Sequence, residues 1–386
     1  MLTRELLGIS YNAIKSNFGR LKKPYKLNFA VTMWCQSRCL TCNIWQMKPK
    51  DELTLDEIKE FARKNNSFRW IGITGGEPFL RSDIVDIVKA FKENSKGLYL
   101  LTIPTNSLCN QDMVINKIRQ MLELKIPKVV ITLSLDGNRE THDRVRGIPG
   151  NYDKVMSMYK RLMTLKKEYP NLSFVFGYTI SKANQGMFQK TYQDVRMEIP
   201  EVTYNDFHLN IAQLSNNYYH NTDNTIIANR EIALDELKNA FRNRKNELKA
   251  MDIIESKFLK GLISFAETGN APVKCRSLDS SLFLDNFGNI YPSIMWDRKV
   301  ANLRDISYDL GNVWHGDEAQ QIRSLIDQNK DPVHWTSCEA YQSILGSIIS
   351  FRNNAKITDN KHEYREPAKS EINSRNEIAM ENKIEN

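Results

Sequence analysis

The chain has 386 residues, 41% of them hydrophobic and 26% charged, with a formal net charge of +8 and a pI near 9.0. That length and apolar content supply a large core and a smaller second unit, and exclude a chain disordered throughout. Six cysteines without a paired framework argue against a disulfide-stapled secreted fold and predict a reducing, cytoplasmic setting; no apolar run reaches the ~18 residues a membrane span needs.

The first predicted element is a helix within residues 1–24. Leu7, Tyr11, Ile14, Phe18 and Leu21 recur at spacings of four and three beside Arg4, Lys15, Arg20, Lys22 and Lys23, a basic amphipathic pattern. Packing of this stripe against the core is the expected arrangement, with peripheral contact to an anionic membrane as the alternative. β-Branched apolar runs then predict six strands, at 27–33, 68–74, 98–105, 128–134, 173–180 and 204–211. Helix-period segments alternate with them, at 55–65 behind a Thr54–Glu57 capping box, from 84, and at 112–124, 152–168 and 185–197. Strand and helix in repeated alternation give an α/β class and a partial (β/α)6 TIM-type barrel over residues 25–225. A charged helical linker follows at 226–260, then an aromatic-rich, smaller α+β extension at 261–354, and a tail at 355–386 with the composition of a disordered segment.

Two motifs fall at predicted strand ends. Cys35, Cys39 and Cys42 form C-x3-C-x2-C directly after the first strand, and three thiolates on one tight loop can hold three irons of a 4Fe-4S cube, leaving the fourth open. Zinc is the competing reading, but structural zinc closes its tetrahedron with a fourth Cys or His, and no histidine lies near this loop. Gly75, Gly76, Glu77 and Pro78 end the second strand, where two missing side chains admit a close approach and Glu77 supplies charge.

On these motifs in this order, the sequence over about residues 25–215 resembles the radical S-adenosylmethionine (SAM) enzymes. The resemblance implies a 4Fe-4S cluster on Cys35, Cys39 and Cys42, with SAM on the open iron and Gly75, Gly76 and Glu77 at its methionine ammonium. It implies Ser134 and Arg146 at the SAM carboxylate, with Arg144 and Lys182 as competitors for the arginine's role, and a SAM contact from Thr105. Thr41 stands where the family often has an aromatic residue. Asp136, in Asp-Gly, reads as a turn residue, and His142, His208 and His220 have no ligand spacing.

Cys275, Tyr291-Pro-Ser293, Gly311-Asn-Val-Trp314 and His334-Trp-Thr-Ser-Cys338 are similar to the SPASM/twitch extension, though with fewer cysteines than it carries. Cys275, His334 and Cys338 are candidates for a second iron-sulfur cluster or a zinc, against a metal-free fold kept for substrate binding. The implied activity is reductive cleavage of SAM and hydrogen abstraction from a peptide or small metabolite, with a flavodoxin or ferredoxin as electron donor. Lipid modification at a membrane is the second reading; a zinc-stabilised nucleic-acid-binding module is the reading from another class, although no basic run is interleaved with aromatics.

Overall fold

A computed structural model describes residues 4–222, 225–245 and 250–348. Six parallel strands, β1 (Lys26–Thr32), β2 (Trp70–Gly75), β3 (Leu100–Thr105), β4 (Lys128–Ser134), β5 (Leu172–Ile180) and β6 (Phe207–Ile211), lie in sequential order. The helices between them are α2 (Leu55–Lys64), α3 (Ile84–Asn94), α4 (Gln111–Glu123), α5 (Arg139–Arg146), α6 (Asn151–Glu168) and α7 (Phe188–Glu198). They follow α1 (Arg4–Ser16) and precede α8 (Arg230–Asn243), α9 (Ala250–Thr268), α10 (Asp317–Asp327) and α11 (Ser337–Leu345). This is the expected partial (β/α)6 barrel.

The outer layer is built on alternation along the strands. Leu27, Phe29 and Val31 of β1 join the main core, where Phe29, Phe61, Phe68 and Phe91 form a connected group of tilted and edge-on rings. α2 starts where the capping box places it, Thr54 Oγ1 accepting from Glu57 N and Glu57 accepting from Thr54 N, and it buries Ile58, Phe61 and Ala62.

The C-terminal region departs from the expected smaller unit. β7 (Ser281–Leu284) pairs in parallel with β1, and β8 (Asn289–Tyr291) and β9 (Ala301–Asn302) continue the same sheet in antiparallel fashion. The described residues up to 348 fall within one compact unit, which spans the boundaries expected at 225 and 260. The expected linker is two helices, α8 and the start of α9, packed on each other. The tail expected at 355–386 lies outside the described residues.

α11 closes the inner side of the sheet. The alternate residues of β1, Lys26 and Asn28, point away from the phenylalanine layer. Lys26 Nζ donates to the Cys338 carbonyl and to Gln342 Oε1 (2.7 Å) and lies 4.0 Å from the Trp70 ring centroid. Asn28 donates to the same carbonyl at 3.1 Å and to Glu339 at 3.4 Å. Tyr341 packs on Trp70 and Phe258 and, with Glu255, hydrogen-bonds His208 of β6. The interior is therefore polar and paired, where a closed barrel would hold branched aliphatics.

Glu339, 2% exposed, accepts from Thr336 Oγ1, and burial raises its carboxyl from 4.5 to about 7. A raised acid keeps its proton to higher pH in the fold than in the unfolded chain, so its contribution to stability falls as pH rises between those two values. In urea unfolding at about pH 5 and about pH 8, Glu339→Gln should gain stability relative to the unsubstituted protein at the higher pH; parallel profiles would contradict a raised carboxyl.

Candidate functional site

The cysteine loop leaves the C-terminal end of β1 and is held by main-chain bonds on three sides. On the first side Gly76 N donates to Thr32 O and Glu77 N to Trp34 O, both at 2.8 Å. On the second, Arg38 N donates to Arg146 O and Leu40 N to Val145 O, both at 2.9 Å, docking the loop on the last turn of α5. On the third, Asn43 N donates to Tyr219 O at 2.9 Å, and Asn221 Nδ2 to Thr41 O at 3.0 Å.

The two glycines have a different physical cause from the one expected. A Cβ on Gly75, whose φ is 121°, would lie 2.1 Å from Thr32 O, and one on Gly76 would lie 2.1 Å from Trp34 O and 3.1 Å from Cys35 Cβ. What approaches closely is the cysteine loop itself. The glycines let the end of β2 run against its backbone, which fixes where Cys35 stands.

Cys35, Cys39 and Cys42 come together at this loop, each partly accessible. Among the described residues no three His, Cys, Asp or Glu side chains converge tightly enough to hold a single metal ion. A cube differs in its demand, since each thiolate takes its own iron. Two donors face the sulfurs: Asn106 Nδ2 lies 3.8 Å from Cys35 Sγ, and Arg146 Nη1 3.6 Å from Cys39 Sγ. Burial raises the Cys35 thiol to about 12 and raises Cys42 as well, with the neighbouring Cys39 adding to both. These thiols are protonated without metal, and loading must displace their protons.

Glu77 is 1% exposed at the centre of the site. Its carboxylate accepts from Asn106 N at 2.7 Å and Phe79 N at 3.2 Å, with the Thr105 hydroxyl as a third partner. Burial nevertheless raises it to about 7, despite Arg146 nearby. Thr105 ends β3 and accepts from Ser107 N at 3.1 Å. Ser134 ends β4, half-buried, opposite Gly177 in the register.

Arg146 reaches Cys39 with one nitrogen and pairs with Asp136 through the other at 2.7 Å. Burial opposes its charge, but Asp136 and the Cys39 thiol outweigh that and hold its pKa above the ordinary value. Its competitors point elsewhere: Arg144 donates to the Ala183 carbonyl at 2.9 Å, and Lys182 is exposed.

Asp136 is no solvent-exposed turn residue. It is 3% exposed, accepts from Thr179 N at 2.9 Å and positions Arg146. Its own N–H donates to His142 Nδ1 at 3.0 Å, and burial lowers that imidazole to about 3, keeping it neutral. Tyr218 was also missed. Its hydroxyl bonds Thr74 Oγ1 and accepts from Gly75 N at 3.1 Å, locking the 215–221 segment over the glycines. Asn106 and Asp136 each stand one or two residues beyond a predicted strand end, a positional signal that was available; Tyr218 lies in an aperiodic Ser-Asn-Asn-Tyr-Tyr-His-Asn run that carried none.

The proposed second metal set does not assemble. Cys275 packs against the main core and bonds Ser277 Oγ at 3.2 Å, whereas Cys338 packs with Tyr218, Phe283, Cys35 and Cys42 in another cluster. His334 is buried with Nδ1 unpartnered.

Residues 29–195 match the sequence model of the Radical SAM superfamily. This stretch is similar to the radical SAM domain. The chain is 29% identical over 178 residues to the AdoMet-dependent heme synthase of Methanosarcina barkeri, covering 44% of this chain and 46% of that protein. It is 40% identical over 92 residues to the GTP 3',8-cyclase of Cronobacter sakazakii, covering 22% and 28%. The chain thus spans less than half the length of these curated relatives. In three dimensions it is similar to Streptococcus suis SuiB bound to S-adenosylmethionine (TM-score 0.53, 17% identity, 83% of this chain and 71% of that one). It is also similar to anSMEcpe with bound AdoMet (TM-score 0.54, 16% identity, 78% and 84%). These likenesses show a shared fold, and both of those proteins were solved with S-adenosylmethionine bound.

Gly76→Ala should leave helix content unchanged by circular dichroism, cost about 1–3 kcal/mol, and lower iron bound after anaerobic reconstitution to roughly half or less. Full iron loading would show that the β2–loop contact does not position Cys35.

Proposed function

We propose that this protein cleaves SAM reductively at a 4Fe-4S cluster held by Cys35, Cys39 and Cys42, and uses the product to take hydrogen from a peptide or small-metabolite substrate. The observation that carries the proposal is the three-sided main-chain clamp on the cysteine loop, with Asn106 and Arg146 donating toward two of its sulfurs. Cys35, Cys39 and Cys42 would hold the cluster, and once reduced by the electron donor it would supply the electron for cleavage of the SAM sulfonium.

The chain's own residues hold and orient. Asn106 and Arg146 offer hydrogen bonds that stabilise electron-rich thiolates. Glu77 has three neutral donors and a raised pKa, the condition of a carboxylate short of an adjacent cation; a bound ammonium would hold it ionised. That chemistry fits the methionine ammonium of SAM, with Gly75 and Gly76 just before Glu77 in the chain and Thr105 bonded to its carboxylate. Arg146, kept charged by Asp136, and Ser134 at the next strand end are the partners for the SAM carboxylate.

A peptide substrate draws support from SuiB, whose structure bound to precursor peptide SuiA overlays this chain at TM-score 0.54 with 16% identity. The small-metabolite reading draws on the heme synthase and the GTP cyclase. An acidic flavodoxin or ferredoxin as electron donor accords with the net charge of +8.

Anaerobically reconstituted protein given dithionite and SAM should release 5'-deoxyadenosine slowly, by chromatography. Replacing Cys35, Cys39 and Cys42 by Ala should abolish release, and Arg146→Ala should weaken SAM binding by roughly ten-fold. A colourless protein that carries zinc and releases nothing would overturn the proposal.

A further inference from the structure

α1 carries two apolar faces, and among the described residues only one is buried. Ile9 and Ala13 are buried, and Leu6 and Ile9 pack with Leu21, Tyr25, Trp70, Leu100 and Tyr341. Asn17 Nδ2 fastens the end of the helix to the Leu345 carbonyl at 2.7 Å. The stripe expected to pack inward faces the other way: Leu7 is 55% exposed, Tyr11 62%, Ile14 57%, and Phe18, just past the helix, 75%. Of the five stripe residues only Leu21 is buried. The difference is one of helical phase. Ile9 and Ala13 lie about 100–160° around the helix from Leu7 and Ile14, so seating one pair turns the other out.

The surroundings of this stripe are cationic. Residues 1–24 hold five basic side chains and one acidic, Glu5. Arg4 precedes Leu7 by three residues, and Lys15 follows Tyr11 by four, its Nζ 5.6 Å from the Tyr11 ring, so both flank the apolar row. Lys22 and Lys23 are exposed just beyond. Four large apolar groups in line, bordered by ammonium and guanidinium groups, are complementary to a surface with an apolar interior and anionic heads.

We propose that α1 docks the protein peripherally on an anionic phospholipid bilayer, with Leu7, Tyr11, Ile14 and Phe18 entering the headgroup–acyl boundary and Arg4, Lys15, Lys22 and Lys23 at the phosphates. No helix among the described residues is long and apolar enough to cross a membrane, so the contact is one of surface attachment. The fold also sets its direction. α1 packs where β1, β2 and β3 begin, beside Tyr25, Trp70 and Leu100, while the cysteine loop leaves the far end of β1, roughly 20 Å along the strand. Docking through α1 turns the cysteine loop toward the aqueous side, and a substrate reaches it from solution.

The test is sedimentation of the full chain with vesicles of phosphatidylcholine mixed with phosphatidylglycerol, against phosphatidylcholine alone, at low and high salt. The protein should pellet with the anionic vesicles and be released by salt. The triple variant Leu7→Asp, Ile14→Asp, Phe18→Asp should lose binding by roughly ten-fold or more at unchanged unfolding temperature, its sites being outside the core. Lys15→Glu with Lys22→Glu and Lys23→Glu should weaken binding without removing any apolar group. No binding to anionic vesicles, or equal binding by the triple variant, overturns the proposal. So does light scattering showing a dimer that the triple variant splits, since a second copy would then cover the stripe. Vesicle binding needs no cluster, so its failure is distinguishable from failure of the proposed chemistry.

Discussion

The site depends on main-chain hydrogen bonds to one loop. Three cysteines within eight residues would sample many arrangements as a free segment, and ordering them costs about 1–2 kcal/mol of conformational entropy per residue. Here the order comes from the fold: the end of β2 on one side, the end of α5 on another, and the 215–221 segment on the third. Because the loop contributes only backbone groups to these contacts, they constrain it whatever its side chains are. The side chains facing the space are thereby left for chemistry.

A second layer works through charge. Asp136 holds Arg146, Arg146 faces Cys39, and Asn106 joins Cys35 to the bonds around Glu77. Glu77, Asn106 and Asp136 are buried and each has a partner, the condition under which a low-dielectric network is firm rather than costly. The polar interior behind it, with Lys26 and Asn28 of β1 tied to Cys338, Glu339 and Gln342 of α11, seats the C-terminal region against the same sheet. Core and extension thus share β1: one face contacts the aromatic layer, the other contacts α11, and its end launches the cysteine loop.

Much of this was legible in the sequence wherever the signal was local. β4 runs over the predicted residues 128–134, and α2 begins at its capping box, because strand alternation and caps are set by neighbours in the chain. The three cysteines and the Gly-Gly-Glu-Pro segment were visible for the same reason. What sequence could not give was what lies opposite. The glycines looked like room for a ligand and also make room for the Thr32 and Trp34 carbonyls; Asp136 looked like a turn and is buried beneath Arg146. α5 went unread as a helix because its eight residues are mostly charged, and the phase of α1 depended on which of two apolar faces met the barrel. Cys275 and Cys338 looked like a set until packing put them in different clusters.

The central claim is that the clamped loop presents a cubane with one iron open to SAM. It is tested most directly by electron paramagnetic resonance of the reconstituted, reduced protein before and after SAM is added. A reduced 4Fe-4S signal whose line shape changes on addition of SAM is the predicted result; the same signal unmoved by saturating SAM, or no cubane signal at all, would contradict it.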